Sequence, residues 1–284
     1  MILFSFKAIQ VKHSLLFFLL AVCCIGYSQR KPKIKGNRNV VEVKETLPPF
    51  NAIQLNDDLE ITLQSSSVEG YTIEADDNLI DILNFKVEDE ILIIGSYYKV
   101  TGKKKLDITV NFNRLNEVSV YEGKLVAKDG FVTDMLQVST FGSAEVDMDV
   151  NTEVMYIAME GNSRGDFKID SDSLNISLMG KAKLGLYGVI KTAEVVMTQN
   201  SDADLEGITE NLGINLFDNA DLKAKRLEAN LVEASLEGNA SVEVWCTNEL
   251  QLNSEGSAKT YMYGDGKISL LQFLDTSELY KRKN

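Results

Sequence analysis

Between Leu136 and Met262, small and apolar residues recur with a period of about 19. Aligning the small residue after each predicted turn gives Ala144, Ser163, Ala182, Ala203, Ala220, Ala240 and Ala258, spaced 19, 19, 21, 17, 20 and 18 apart. Eight positions before it stand Leu136, Met155, Leu174, Val195, Leu212, Val232 and Leu250. Six before it stand Val138, Ile157, Ile176, Met197, Ile214, Ala234 and Leu252. Two before it, five of the seven residues are glycine: Gly142, Gly161, Gly180, Gly238 and Gly256. Alternate residues of a strand share a face, so each repeat offers an inward-facing strand, a sharp turn and a second inward-facing strand. Glycine suits the turn because it adopts positive φ without steric cost. A single repeat cannot bury its apolar side alone, whereas stacked repeats form a continuous apolar column. The pattern predicts an all-β fold, a β-helix or β-solenoid of about seven to eight rungs of 19 residues. The rival, a β-sandwich, requires the columns to match by coincidence in seven repeats.

The rest of the chain is arranged around this block. Residues 47–114 are strand-rich but irregular and suit an N-terminal cap; within them, 78–85 has the composition of one helical turn. Residues 115–130 read as a degenerate repeat whose register slips by about one residue, which completes a repeat block over 115–267. Residues 268–284 are expected to cover the far end, because an open solenoid end is an aggregation-prone edge. One solenoid domain over 47–284 results. Before it, residues 29–46 are basic, lack apolar periodicity at their start and read as a flexible linker. Residues 1–28 read as an export signal: Lys7 and Lys12, a short apolar run, then small residues up to Ser28. A competing reading places a lipid anchor at Cys23, although Val22 is bulky for such a site. No apolar run is long enough for a comfortable membrane span.

Export narrows the chemistry. The single histidine is His13, inside the signal, so the mature chain lacks the imidazole that Ser-His-Asp triads, Cys-His dyads and His-ligated zinc require. Cys246 is the only cysteine beyond the signal; it admits no intramolecular disulfide and reads as a packed thiol. The net charge of −13 argues against nucleic acid, which needs clustered cations. No cofactor motif is present, and YGDGKIS (263–269) lacks the first glycine of a phosphate loop.

A site must therefore lie on the outward columns. Five positions before the small residue stand Ser139, Ala158, Ser177, Thr198, Asn215, Ser235 and Asn253, a flat, uncharged face. Stacked at about 4.8 Å per rung, the polar members Ser139, Ser177, Thr198, Asn215, Ser235 and Asn253 form a ladder of hydroxyls and amides. Such a ladder either bonds to itself from rung to rung or binds a glycan or a surface protein. The outward columns after the turn mix acids and bases, as a solvated face does. Their carboxylates meet glycosidase spacing by default, so the spacing does not discriminate. DADLEG (202–207) resembles the start of a calcium loop, but Gly213 stands where the closing glutamate is needed.

The layout resembles the auto-transporter adhesin head, or GIN, domain family of exported bacterial proteins. The resemblance rests on PFNAIQLNDDLEITLQ (49–64), on ITVNFNRLNEVSVYEGKLV (108–126) and on the Gly-x-Ala repeats, and covers roughly 47–270. It implies a right-handed β-helix-like fold, export to the envelope or surface, and an adhesive role, with no catalytic residues to carry over. The expected function is a non-enzymatic, adhesin-like surface protein that binds a macromolecule. The alternatives are a polysaccharide-active β-helix enzyme, a glycosidase or lyase, and a purely structural envelope component.

Overall fold

The computed structural model describes residues 31–282; the predicted signal, with Cys23 inside it, lies outside the described residues. In chain order the N-terminal strands are β1 (Lys33–Ile34), β2 (Val40–Thr46), β3 (Ala52–Leu55), β4 (Glu60–Ser65) and β5 (Gly70–Asp76). They continue with β6 (Leu83–Glu88), β7 (Ile91–Ser96), β8 (Lys99–Val100), β9 (Leu106–Phe112) and β10 (Glu117–Val120). Seven long strands follow: β11 (Lys124–Thr140), β12 (Glu145–Met159), β13 (Arg164–Leu178), β14 (Lys183–Met197), β15 (Asp202–Leu216), β16 (Asp221–Leu236) and β17 (Ser241–Ser254). The chain ends in β18 (Lys259–Tyr263), β19 (Lys267–Phe273) and β20 (Glu278–Lys281). The fold is a β-solenoid of about nine turns, more than the regular repeats alone supply, because the irregular N-terminal strands add turns.

Each long strand runs from one tight turn to the next and bends midway. The bend is visible as a switch in facing parity. In β12, Val146, Met148, Val150 and Thr152 are buried before it and Met155, Ile157 and Met159 after it. The corner carries a column of hydroxyls that the repeat pattern alone does not reveal. Thr152, Ser171 and Thr209 donate from Oγ to the carbonyl two residues on, at 3.2, 2.9 and 3.1 Å. A hydroxyl can satisfy itself within the bend in this way, so a polar residue is tolerated inside. All long strands pair in parallel, like with like: Met155 with Leu174 and Ile157 with Ile176, for example. One hydrophobic cluster runs from Phe50 to Met262.

The turns show why glycine recurs. Gly142, Gly161 and Gly180 have φ of 59°, 78° and 84°, and a Cβ on Gly161 would stand 2.8 Å from the Gly142 carbonyl oxygen. The turns also correct the alignment of the fourth repeat. Ala203 pairs with Leu184, so it is the second residue after the turn and not the small residue at its end. Ser201 occupies that end position, is 1% exposed, and donates from Oγ to the Thr198 carbonyl at 2.9 Å. The left-handed turn position then falls on Gln199, φ 62°, and in the next coil on Asp218, φ 60°. A two-residue slip leaves inward and outward faces unchanged because the strand period is two; the alternating pattern could not detect it.

The N-terminal layers obey different rules. β3 and β4 form a coil that pairs in parallel with β10 and β11 on one side and with β7 and β9 on the other. The slip predicted for 115–130 falls in two places: across the turn, where Val120 pairs with Thr140 but Lys124 with Glu145, and at a bulge in β11, where Ala127 pairs with Met148 but Phe131 with Val150. Beyond β7 and β9 the pairing becomes antiparallel, β6 on β7 and β5 on β9. The helical turn expected over 78–85 shrinks to a 3-10 turn at Asp77–Leu79; residues 80–82 form a turn and β6 starts at Leu83. Within the flexible linker expected over 29–46, Val40–Thr46 is instead a strand: β2 pairs antiparallel with β5 from Val40 with Asp76 to Thr46 with Gly70. Its alternation is short, and only the distant partner strand fixes it. At the other end, β19 and β20 extend the stack by pairing with β17 and β18. Lys281 reaches Met262 Sδ at 3.8 Å there; a charge at the end of the core blunts an open edge.

Candidate functional site

The pairing register sets the outward column in order: Gln54, Ser119, Ser139, Ala158, Ser177, Val196, Asn215, Ser235 and Asn253. Five of the six residues named from sequence, Ser139, Ser177, Asn215, Ser235 and Asn253, share this column. Thr198 does not. It lies in the turn, and Val196 stands between Ser177 and Asn215, which follows directly from the two-residue correction at Ser201. Ser139 is 8% exposed and so contributes little to a surface. Ser177 is exposed, and Asn215, Ser235 and Asn253 are half-buried. Among the described residues no hydrogen bond joins these four side chains to one another. Side-chain bonding between rungs occurs elsewhere, as from Asn239 Nδ2 to Asn219 Oδ1 at 3.1 Å in the turns.

The neighbouring column reads Gln137, Tyr156, Asn175, Glu194, Gly213, Glu233 and Gln251. Gly213 leaves a gap in it, and the gap is the floor of a depression of about 180 Å³. Glu194, Glu233, Gln251, Asn215, Ser235 and Asn253 surround the hollow. A Cβ at Gly213 would run into the Glu194 carboxylate, which leans over the gap. Tyr156, 41% exposed, offers an aromatic face farther along the same column. Toward the C-terminal end Glu249 accepts from Ser269 Oγ at 2.6 Å; this bond, with Lys267 nearby, holds its carboxyl below the usual range.

The opposite face carries the charges. Asp147, Asp166, Gly185 and Asp204 are consecutive in one column and line a groove of about 390 Å³. Its acids are largely engaged: Asp147 by Lys128 at 2.8 Å, Asp204 and Glu206 by Arg226 at 2.9 and 2.7 Å. The acids of DADLEG thus alternate along the outward side of one strand and pair with basic residues of the next coil, Asp202 with Lys223 at 3.4 Å. Cys246 is fully buried, and burial pushes its thiol up.

A third hollow, of about 650 Å³, lies at the N-terminal end between the first turn and the 96–100 excursion. Asp57 lines it, accepting from Ser96 N at 2.7 Å and pairing with Lys31. Sequence reasoning missed it, because its walls come from segments that only the fold brings together.

Two overlapping stretches, residues 49–166 and 162–266, match the family described as "Putative auto-transporter adhesin, head GIN domain". The chain belongs to this family. As a GIN-domain protein it shares its fold with a "putative adhesin" from Parabacteroides merdae, at 19% identity and TM-score 0.64, over 88% of this chain and 100% of the other. A "putative adhesin" from Parabacteroides distasonis is alike at 17% identity and TM-score 0.64, over 88% and 100% of the two chains. A "putative lipid binding protein" from the same organism is alike at 17% identity and TM-score 0.58, over 87% and 96%. No curated protein matches. Among the described residues no helix is long and apolar enough to cross a membrane.

Proposed function

We propose that this GIN-domain protein is an exported, non-enzymatic, adhesin-like protein of the envelope or surface, and that it holds a glycan chain along its polar strand face. The observation that carries this reading is the set Ser177, Asn215, Ser235 and Asn253, in one column, with no hydrogen bonds among them, beside the hollow at Gly213. Side-chain hydroxyls and amides left open in this way suit a ligand that presents hydroxyls at regular intervals. Rungs recur at about 4.8 Å, comparable to the length of one pyranose, so successive sugars meet Asn215, Ser235 and Asn253 on successive rungs, with Ser177 two rungs from Asn215 across Val196. Tyr156 adds a ring on which a sugar face can stack. The surface is shallow, which suits holding a polymer better than enclosing a reacting bond. A non-enzymatic role is further supported by the lack of histidine after residue 13 and by the ion pairs that occupy most of the groove acids.

The test is a glycan-array screen of residues 29–284, followed by titration of the best glycan. Changing Ser177, Asn215, Ser235 and Asn253 together to lysine is expected to weaken binding at least about tenfold, the loss of roughly 1.4 kcal/mol. Thr198→Lys, outside the column, is expected to leave binding intact. Undiminished binding by the fourfold variant, or glycan turnover abolished by one Asp or Glu change, sinks the reading.

A further inference from the structure

The two ends of the solenoid are finished differently. At the N-terminal end β2 and β6 each pair on one side only among the described residues. Their exposed residues are charged: Glu42, Lys44 and Glu45 on β2, Lys86 and Glu88 on β6. Lys44 pairs with Glu42 at 2.9 Å, and Lys86 pairs with Glu88. Charges of this kind keep a bare edge from recruiting another strand. At the C-terminal end β19 and β20 are the edges, paired on one side only, to β17 and β18. β19 carries a single charge, Lys267. Its Ile268, Leu270 and Phe273 continue the inward columns of Leu250, Leu252 and Ser254. Those three are buried, whereas Leu270 is 50% exposed and Phe273 is exposed as well. Leu271, the extra residue of a bulge, is 63% exposed, and Leu274 in the following turn is exposed too. Lys281 covers the core at Met262, and no charge does the same over Leu270 and Phe273 among the described residues. On the opposite face Tyr280 stacks on Tyr261 with ring centres 5.1 Å apart, and the Arg282 guanidinium stands 5.0 Å from the Tyr280 ring. An apolar strand edge left bare in this way needs a cover.

We infer that the cover is a second copy of this chain, joined tail to tail about a two-fold axis. A partner for this end has to offer two strand edges at once, because β19 continues the polar face and β20 the opposite, charged one. The same end of a second copy does so by symmetry, β19 against β19 and β20 against β20, each pair antiparallel. Charge favours this end over the rest of the surface. Residues 267–282 hold Lys267, Lys281 and Arg282 against Asp275 and Glu278, a net +1, whereas the chain as a whole carries −13 and repels its own copies. The β20 edge is also self-complementary. A two-fold through Tyr280 sets the two tyrosines against each other and Glu278 of one copy opposite Arg282 of the other, both on the outward side. Opposite charges facing one another on paired strands stabilise the pairing. Exposed leucine and phenylalanine at the centre, with charges at the rim, is the composition of a homodimer interface. Head-to-tail stacking fits worse: it sets the apolar edge of β19 against the charged residues of β2 and β6, and it leaves an open end that grows without limit, whereas a two-fold contact closes. The same two-fold places both polar faces on one side of the pair. This docking does not depend on what the polar face binds.

The experiment is sedimentation equilibrium on residues 29–284, which hold every described strand and the whole core, over a range of concentrations. The expected result is a monomer–dimer equilibrium with a dissociation constant of roughly 1 μM or tighter, and no larger species. Leu270→Lys with Phe273→Lys brings like charges together at the centre of the contact and should weaken the dimer at least about a hundredfold. If that variant melts early, Leu271→Lys, on the exposed bulge, replaces it, with an expected loss of about tenfold. The two-fold itself is tested by exchange of charge. Glu278→Arg sets two arginines opposite each other and should weaken the dimer, and adding Arg282→Glu to it should restore the parent affinity. Lys44→Gln with Lys86→Gln, at the other end, should leave the dimer unchanged. A monomer up to about 100 μM, growth beyond the dimer, a dimer indifferent to the lysine variants, no rescue by the charge exchange, or loss of the dimer through the changes in β2 and β6 each overturns the proposal.

Discussion

The repeat block from β11 to β18 and the N-terminal layers from β1 to β9 solve the same problem in opposite ways. In the block, every coil repeats one solution: like residues stack on like, a left-handed residue makes the turn, a hydroxyl column makes several of the corners. Its neighbours are always the adjacent coils, so information local to one repeat suffices. In the layers, β2, β5 and β6 run antiparallel to their partners, and an excursion at 97–105 replaces a turn. Contacts there join residues some tens of positions apart, as Asn37 and Asn39 join Asp77. Regularity carries the stability, while the interruptions of it create local chemistry. The 650 Å³ hollow lies in the irregular part, and the hollow at Gly213 marks a missing side chain in the regular one.

The largest effect that separates the regions concerns the core of the block. Ile214 is 1% exposed, and Ile214→Asp is expected to cost about 5 kcal/mol or more by burying an unpaired charge. Asn215→Asp, on the outward side of the same strand, should melt within about 0.5 kcal/mol of the parent. Equal melting of the two variants breaks the assignment of faces. Next come the turns. Gly161→Val places a β-branched residue at φ 78° with its Cβ near the Gly142 carbonyl, and a loss above about 2 kcal/mol in chemical unfolding is expected. The reverse change, Gln199→Gly, relieves a left-handed non-glycine residue and should gain up to about 1 kcal/mol. A loss there contradicts the corrected register.

The smallest effects lie in the N-terminal layers and depend on pH. Tyr71 donates from its hydroxyl to Glu45 at 2.6 Å, and burial together with that carboxylate pushes its pKa up to about 12. A raised pKa stabilises the protonated fold below the ordinary value of 10.0, and this contribution disappears as pH rises toward 12. Asp77 behaves conversely: hydrogen bonds from Asn39 and Asn37 lower its pKa. That contribution is present above 3.8 and is lost as pH falls through the depressed value. Native-state hydrogen exchange should therefore show β2 and its flanks loosening at both pH extremes before β12 to β16 do. Tyr71→Phe should abolish the alkaline step alone. Simultaneous exchange of both regions would mean that the two parts are not separable in stability.

Much of this protein was legible in its sequence. Strand alternation fixed which residues face inward, because period two and burial are the same information: Leu212, Ile214 and Leu216 are buried as the pattern requires. The spacing of the glycines located most turns, since few other residues adopt positive φ cheaply. What the sequence could not decide was anything that leaves the alternation unchanged or joins distant segments. The slip at Ser201 preserved every face and yet moved Thr198 off the column and put Val196 on it. β2 looked like a linker because its partner, β5, lies 24 residues away at the near end of the pair and supplies the evidence for a strand. The lysines at 31–35 and 99–105 were two unremarkable basic runs until parallel pairing of β1 with β8 set Lys33 beside Lys99. Local periodicity sets the direction in which a side chain points; only long-range hydrogen bonding sets which other side chains it stands beside.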